Sequence, residues 1–258
     1  MRLTIEAVLD YHMAEPVDVL LAIEAAPMAD QQIIEDRLVI DGAGPLRPVA
    51  GEDDVGRRTW MRAEGPFRAH YKALIDVTHP SIAVAGLTAS ARRDLPAEVI
   101  PYLWPSRYCE ADRFEAFVSD EFGGLEGGDQ ILAMEDWIHH HLRYVPGSSD
   151  ATTGAVDSFV MRRGICRDYA HLLASFARAA GIPARLASVY AAGLEPPDFH
   201  AVVEVWLQDS WHFVDATRLA PREGFARIAV GRDATDIAFM TIFGGADLVE
   251  QRVSVTAA

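Results

Sequence analysis

The chain has 258 residues, of which 50% are hydrophobic, and its formal net charge is −15. A chain of this size and composition can bury one large core or two smaller ones. The charge argues against a nucleic-acid partner, because binding to phosphates depends on clustered lysine and arginine, and Lys72 is the only lysine.

The first third of the chain predicts a run of β-strands. In RLTIEAVLDY, at residues 2–11, alternate positions are apolar, which is typical of a strand with one buried face. Similar segments follow, separated by glycine, proline and aspartate: VDVLLAIEA, IIEDRLVID, RRTWMRAEG and FRAHYKALIDVT. Short strands at this spacing predict an antiparallel sandwich or barrel, so residues 1–95 are assigned to a β-rich N-terminal domain.

A proline-rich stretch ends this domain, and the hydrophobic period changes after it. Residues 111–122, 128–143 and 165–180 predict helices, and a further helix is predicted after the segment VPGSSD. Strands follow in ARLASVY, HAVVEVWL, WHFVDAT and, at the end of the chain, VSVTA. Helices that precede strands in this way predict an α+β second domain over residues 96–258.

The N-terminal segment MRLTIEAVLDYHMAEPVDVLLAIEAA contains acidic residues and lacks the apolar core of a signal peptide. No apolar run in the sequence approaches the length of a membrane span. We therefore expect a cytoplasmic protein with no membrane partner. Cys109 and Cys166 could pair, but a reducing compartment favours free thiols.

The segment RRGICRDYAHLLASFARAAGIPAR, at residues 162–185, places Cys166 in the first turn of the best-defined helix. Unpaired backbone N–H groups and the helix dipole favour an anion there, which increases the thiolate fraction. Gly164 would leave room for a substrate to approach. These features are compatible with a nucleophile, but most free cysteines are small buried apolar residues, so the helix start alone leaves both interpretations open.

A cysteine nucleophile needs a base, and the segment DFHAVVEVWL offers His200. One face of this strand is wholly apolar and must contact the core; it consists of Ala201, Val203, Val205 and Leu207. His200 is therefore expected to point away from that core. Glu204, on the same face as His200, is a rival orienting group but lies about 13 Å away along the strand.

The next strand, WHFVDAT, carries an acid that could orient His200. If Gln208 and Asp209 form a two-residue loop, Asp215 pairs with Val202 and lies diagonal to His200 on the same face. A slip of one residue would move the Asp215 carboxylate to the core face, where an unpaired charge is costly. The core and the histidine therefore favour the same register. His212 is expected to point opposite to Asp215 and is a worse candidate for the base.

The order Cys, His, Asp on a helix and two adjacent strands is that of papain-type enzymes. The segments RRGICRDYAHLLASFARAAGIPAR, DFHAVVEVWL, WHFVDATRLAP and GRDATDIAF resemble the bacterial transglutaminase-like superfamily over roughly residues 95–258. The resemblance implies a papain-like core of helices packed on an antiparallel sheet. It implies that Cys166 is the nucleophile, His200 the general base, Asp215 the residue that orients the imidazole and Asp168 a supporting residue.

The resemblance also implies a reaction on amide or peptide bonds. The sequence has no EF-hand-like loop or other dense acidic calcium motif, so no cofactor is predicted. The Cys166 thiolate would attack the carbonyl of a peptide or protein substrate, and water or a small amine would resolve the thioester. The backbone N–H of Cys166 is one donor to the oxyanion, and candidates for the second are Trp104, Tyr144 and Ser149. Val202 replaces a tryptophan that is common in the family, so the contacts with substrate are expected to differ.

Other interpretations compete with this one. The histidines at 139–141 cannot converge on one metal ion, because consecutive helical side chains point in different directions, so no metal site is predicted. A non-catalytic protein-binding module with the same fold is the main alternative, and the presence of all three candidate residues counts against it. Redox sensing by Cys166 lacks an evident resolving cysteine. Arg232 and Asp233 either support the site or form an ordinary turn ion pair.

Overall fold

The computed structural model describes residues 1–79 and 82–257. A six-stranded antiparallel sheet is followed by helices and a four-stranded antiparallel sheet, which confirms the predicted α+β class. In the described ranges, no helix is both long enough and apolar enough to cross a membrane. The strands are β1 Arg2–Leu21, β2 Gln31–Ala43, β3 Arg47–Ala50, β4 Arg57–Val77, β5 Arg143–Tyr144, β6 Arg163–Gly164, β7 Ala184–Ala191, β8 Phe199–Leu207, β9 Ser210–Val214, β10 Phe225–Gly231, β11 Met240–Ile242 and β12 Asp247–Ala257. The helices are α1 Glu115–Phe122, α2 Gly127–His141, α3 Ala155–Met161, α4 Cys166–Ala179 and α5 Ala234–Ile237.

The strands of the first sheet are longer than the sequence predicts. β1 and β4 pair with each other along most of their length, although the sequence divides each into two segments. A register shift between Met13 and Val17 accommodates residues 14–16, and both flanking residues are buried. Because the bulge preserves the phase of alternation, one apolar face continues through the whole of β1.

The last two strands of the chain lie in this first sheet. β12 pairs with the beginning of β1, and β11 pairs with its end. The sequence places VSVTA with the strands of the second domain, so its position differs from the prediction. The long β1 would otherwise expose a row of unpaired backbone groups, and the two strands satisfy them. The division of the chain at residue 95 stays a prediction.

Helix α4 packs on one face of the second sheet, whose strand order is β10-β7-β8-β9. The apolar face predicted for β8 is confirmed, because Val203 and Val205 belong to the core cluster that contains the helices. The predicted register is confirmed as well, since Val203 lies opposite Val214. Gln208 and Asp209 both have positive φ values, 47° and 58°, as a tight two-residue hairpin turn requires.

The opposite face of the second sheet is also buried, which the sequence analysis did not predict. His200 is 2% exposed, although the prediction directs it away from a core. On this face Val202 packs in a separate apolar cluster with Val189 and Phe225. Both faces of β8 are therefore enclosed, and polar side chains on the second face need internal partners.

A buried ion network satisfies the charge on this face. Oε2 of Glu204 accepts a hydrogen bond from Nε of Arg185 at 2.8 Å, and Oε1 accepts one from Nε of Arg227 at 2.7 Å. Burial opposes ionisation of Glu204, but the two guanidinium groups outweigh it and lower its pKa below the ordinary value. The arginines also bind Asp53 at 3.0 Å and Asp30 at 2.8 Å, both from the N-terminal part of the chain. Glu204 is therefore engaged by arginines rather than by His200.

We predict that Glu204→Gln lowers the free energy of unfolding by about 3 kcal/mol, because it leaves two buried guanidinium groups without their shared carboxylate. Urea denaturation at neutral pH measures the change. Glu250→Gln is the matched control, since its ion pair with Arg252 is exposed and 3.5 Å long, and a change within about 1 kcal/mol is expected there. Equal effects of the two substitutions would contradict a structural role for the network.

Candidate active site

The first turn of α4 is held by a side chain of the same turn. The backbone N–H of Ile165, which precedes the helix, donates to Oδ2 of Asp168 at 2.8 Å. Asp168 is fully buried, and its Oδ1 accepts a hydrogen bond from Nη2 of Arg167 at 3.3 Å. The carboxylate thus fixes the start of the helix that begins with Cys166, and it does so by capping the backbone.

Gly164 is required by this cap. A Cβ atom at position 164 would lie 2.6 Å from Cβ and 2.9 Å from Oδ2 of Asp168. These separations are shorter than van der Waals contact, so only glycine lets the Asp168 side chain fold back against the chain. Gly164 is predicted from the sequence to leave room for a substrate, but its packing against Asp168 gives the glycine a different physical reason.

The predicted diagonal pair on β8 and β9 forms a hydrogen bond. Nε2 of His200 donates to Oδ2 of Asp215 at 2.9 Å, and both side chains are almost fully buried. Oδ1 of Asp215 accepts from the backbone N–H of Thr217 at 2.9 Å and from its hydroxyl at 2.7 Å. Thr217 was missed by the sequence analysis, although Asp-x-Thr is a common local turn pattern and could have indicated it.

The same imidazole also interacts with the cysteine. Burial disfavours the charged ring, but the hydrogen bond to Asp215, followed by the hydrogen bond and charge of Cys166, raises the pKa of His200 to about 10. A charged imidazole beside a sulfur is the environment that stabilises a thiolate. Cys109 differs: it is fully buried, and burial raises the pKa of its thiol to about 11. Both cysteines are free.

The structure brings one of the three predicted oxyanion donors to the sulfur. β5 and β6 form a short parallel ladder in which Tyr144 lies opposite Gly164, two residues before Cys166. The Tyr144 hydroxyl lies beside both the backbone N–H and the side chain of Cys166. Burial, followed by the charge of Cys166, raises the pKa of Tyr144, so its phenol stays protonated and keeps a proton to donate.

Trp104 lies elsewhere. Its carbonyl accepts a hydrogen bond from Nη1 of Arg178 at 3.3 Å, near the end of α4, and its side chain is 59% exposed. Arg178 is twelve residues after Cys166, which corresponds to about 18 Å along a helix. The structure therefore does not bring Trp104 to the sulfur, because the proline-rich segment passes the opposite end of α4.

Ser149 lies in the loop between β5 and α3. The next residue, Asp150, accepts a hydrogen bond through its carbonyl from Nη2 of Arg167 at 2.8 Å, so this loop borders the first turn of α4. The Ser149 Oγ is buried, and within residues 1–79 and 82–257 it has no hydrogen-bond partner. Ser149 therefore stays a candidate donor.

The remaining polar groups noted in the sequence have partners of their own. Nδ1 of His139 faces the Ala216 carbonyl at 3.3 Å, and the next two histidines face backbone carbonyls of α2. Across the described part of the chain, no group of three or more His, Cys, Asp or Glu side chains is placed to hold a metal ion.

Arg232 pairs with Asp236 at 3.0 Å rather than with Asp233, which caps α5.

A cysteine at the start of a helix, beside a buried histidine–aspartate pair on an antiparallel sheet, defines a protein of the papain-like class. The family model of the transglutaminase-like superfamily matches residues 116–216, which contain all three side chains. The crystal structure of a proposed cysteine protease from Cytophaga hutchinsonii is 33% identical, covers 99% of this chain and 90% of that chain, and has a TM-score of 0.95. The chain belongs to the transglutaminase-like superfamily.

Two further proteins show lower similarity. The uncharacterized protein ML0607 of Mycobacterium leprae is 29% identical over 119 residues, which cover 42% of this chain and 42% of that protein. The match therefore spans less than half of the relative's length. The periplasmic domain of TgpA from Pseudomonas aeruginosa, bound to ethylmercury, is 18% identical over 83% of this chain and 76% of that chain, with a TM-score of 0.45.

We predict that Gly164→Ala displaces the Asp168 cap and lowers the free energy of unfolding by about 2 kcal/mol or more, because the new methyl group overlaps the capping side chain. Chemical denaturation measures the loss. Gly124→Ala is the control, since a Cβ there meets no atom within 4 Å. A cap that tolerated the methyl group would leave both variants equally stable.

We predict that Asp215→Asn lowers the pKa of His200 by about 1–2 units, because the carboxylate raises that pKa through both its hydrogen bond and its charge. The imidazolium should therefore persist to about pH 10 in the native protein and be lost at lower pH in the variant. NMR titration of the His200 ring measures both midpoints. An unchanged or higher midpoint in Asp215→Asn would show that the carboxylate does not hold the charge on the ring.

Proposed function

We propose that this protein is a cysteine-nucleophile enzyme that acts on amide or peptide bonds through a thioester, as a transglutaminase-like hydrolase or acyltransferase. The observation that carries the proposal is the His200 ring, which binds Asp215 through Nε2 and interacts with Cys166. Cys166 is the nucleophile, His200 the acid and base, and Asp215 the group that orients the ring. The similarity to a proposed cysteine protease over nearly the whole chain supports this assignment.

The first half of the reaction forms the thioester. Sγ of Cys166 attacks the carbonyl carbon, and the C=O electron pair moves to oxygen to give a tetrahedral oxyanion. The backbone N–H of Cys166 and the hydroxyl of Tyr144 are the proposed donors to that oxyanion. The intermediate collapses as the C–N bond breaks, and the His200 imidazolium gives its proton to the departing ammonia or amine.

The second half of the reaction returns the Cys166 thiolate and the His200 imidazolium. Neutral His200 takes a proton from water or from an incoming amine as that nucleophile attacks the thioester carbonyl. The C–S bond breaks, and a carboxylic acid or a new amide leaves. Cys166 is half-buried rather than fully buried, which is compatible with access by either acceptor.

The proposed substrate is a peptide or protein, because the proposed nucleophile acts on amide carbonyls and Cys166 is only half-buried. A small amine is the proposed alternative acceptor to water. We also propose a reducing compartment, the cytoplasm, because a nucleophilic thiol must stay unpaired and both cysteines are free.

The test is the pH dependence of iodoacetamide alkylation, followed at each cysteine by peptide mass spectrometry. We predict that Cys166 reacts well below pH 8 and that His200→Ala abolishes this reactivity, because the imidazolium stabilises the thiolate. Cys109 is the internal control and should stay unreactive in the folded protein, since it is fully buried. A panel of glutamine peptides, incubated with and without a primary amine, then separates hydrolysis from transamidation.

Two results would overturn the proposal. One is a Cys166 that is inert in the folded protein, and the other is a Cys166 whose reactivity is the same without His200. Either result would favour the non-catalytic binding module. Cys166→Ala is the control in the peptide assay, because any product that survives this substitution does not depend on the proposed nucleophile.

A further inference from the structure

The turn that carries Asp215 borders an open cavity of about 900 Å³. The turn is closed by a hydrogen bond from the Arg218 N–H to the Asp215 carbonyl at 3.1 Å, and Arg218 has a positive φ of 57°. Asp215, Arg218 and Arg222 all line the cavity. Two partly exposed cations therefore border the same cavity as the turn that carries the carboxylate bound to His200.

These cations are natural competitors for that carboxylate. A guanidinium group pairs with carboxylates more strongly than a neutral donor does, and five N–H groups let it bind several acceptors at once. An arginine that bound Asp215 would draw the carboxylate away from the imidazole. It would also cancel the negative charge that keeps the imidazole protonated.

Glu135, on helix α2, provides both arginines with another partner. Its Oε1 lies 3.9 Å from Nε of Arg218 and 3.8 Å from Nη2 of Arg222. Its side chain is only 5% exposed, so the carboxylate holds a fixed place in the cavity wall. Two further bonds hold the arginines on this side: Arg218 donates to Asp136 at 3.2 Å, and Arg222 donates to the Phe213 carbonyl at 3.2 Å.

Glu135 and Asp215 also influence each other directly. Burial raises the pKa of Glu135, the two arginines oppose that effect, and the charge of Asp215 raises it further. The two carboxylates are therefore close enough to repel each other. The two arginines lie close enough to Glu135 to stabilise its negative charge. Removing the charge of Glu135 would remove the carboxylate that pairs with Arg222. It would also remove one of the two carboxylates that pair with Arg218, the other being Asp136, so Asp215 could then compete for both guanidinium groups.

We propose that Glu135 is a positioning residue for the site: it retains Arg218 and Arg222 on helix α2 and so leaves the carboxylate of Asp215 to His200. The inference rests on the proposed function, since it assigns a task to a residue behind the Asp215–His200 pair. Helix α2 then has a role beyond packing, because its Glu135, Asp136 and His139 all face the segment that follows β9.

The other charged or titratable groups on this cavity have partners that keep them out of the competition. Arg227 binds Asp30 and Glu204, and His79 binds Asp30 at 2.8 Å. The His212 ring faces the Ser210 hydroxyl at 2.9 Å. Glu223 also lines the cavity and is exposed, so water screens its charge.

The experiment is an NMR titration of His200 in the full-length protein. Glu135→Gln keeps the size of the side chain and removes its charge, and we expect the His200 midpoint to fall by about one pH unit. In the combined variant Glu135→Gln, Arg218→Gln, Arg222→Gln, no arginine can capture Asp215, so the midpoint should return towards the native value. Glu126→Gln is the matched control, because Glu126 is an exposed carboxylate at the start of the same helix.

The inference is overturned if Glu135→Gln leaves the midpoint at the native value, or if the combined variant is shifted as far as the single one. If Glu135→Gln does not fold, Arg218→Gln with Arg222→Gln gives the answer in the presence of Glu135. In that variant an unchanged or higher midpoint supports the inference, and a lower midpoint overturns it.

A separate arm tests the proposed function. Cys166→Ala should lower the His200 midpoint, because the cysteine helps to keep the ring charged. If Cys166→Ala has no effect, the proposed pairing of thiol and imidazole fails, whatever Glu135 does. If Cys166→Ala shifts the midpoint and the Glu135 variants do not, only the inference about Glu135 fails.

Discussion

The candidate site depends on the docking of the start of α4 against the start of β8, because the sulfur and the imidazole belong to these two elements. The helix is fixed to the sheet by fully buried residues such as Leu173 and Phe176, which share a cluster with Val203. That packing sets the distance between helix and strand but not the position of the first turn. The short β5–β6 ladder and the Asp168 cap supply this second constraint, and both act within a few residues of the cysteine.

The enclosure of the second face of the sheet is equally important. An imidazole on an open face would be bound by water, and its hydrogen bond to a carboxylate would be weaker and less directional. Here Phe225 packs beside the His200 ring, with ring centroids 6.0 Å apart, and Asp30 and Asp53, from connections between the N-terminal strands, neutralise the arginines of the same face. The N-terminal part of the chain thus contributes to the dry environment in which the pair operates.

Local and nearest-neighbour features of the site could be predicted from the sequence, and long-range features could not. The position of Asp215 follows from strand alternation and a two-residue turn, because both rules act between adjacent strands. The role of Glu204 was missed because its two arginines come from β7 and β10, and alternation alone cannot show which polar face is covered. Trp104 was a poor candidate for a related reason. It lies near the second domain in the sequence, but this does not indicate which end of α4 Trp104 reaches.

In the proposed mechanism, the pKa of His200 changes when the thioester forms. In the free protein both Asp215 and Cys166 raise the pKa of His200, so the ring carries the proton that the leaving amine requires. Formation of the thioester removes the sulfur charge, and with it one of the two contributions that keep the ring protonated. The pKa of the ring must then fall, and the neutral imidazole becomes a base for the incoming water or amine. Asp215 raises the pKa of His200 throughout the reaction. The groups that hold its carboxylate in place therefore matter as much as the sulfur.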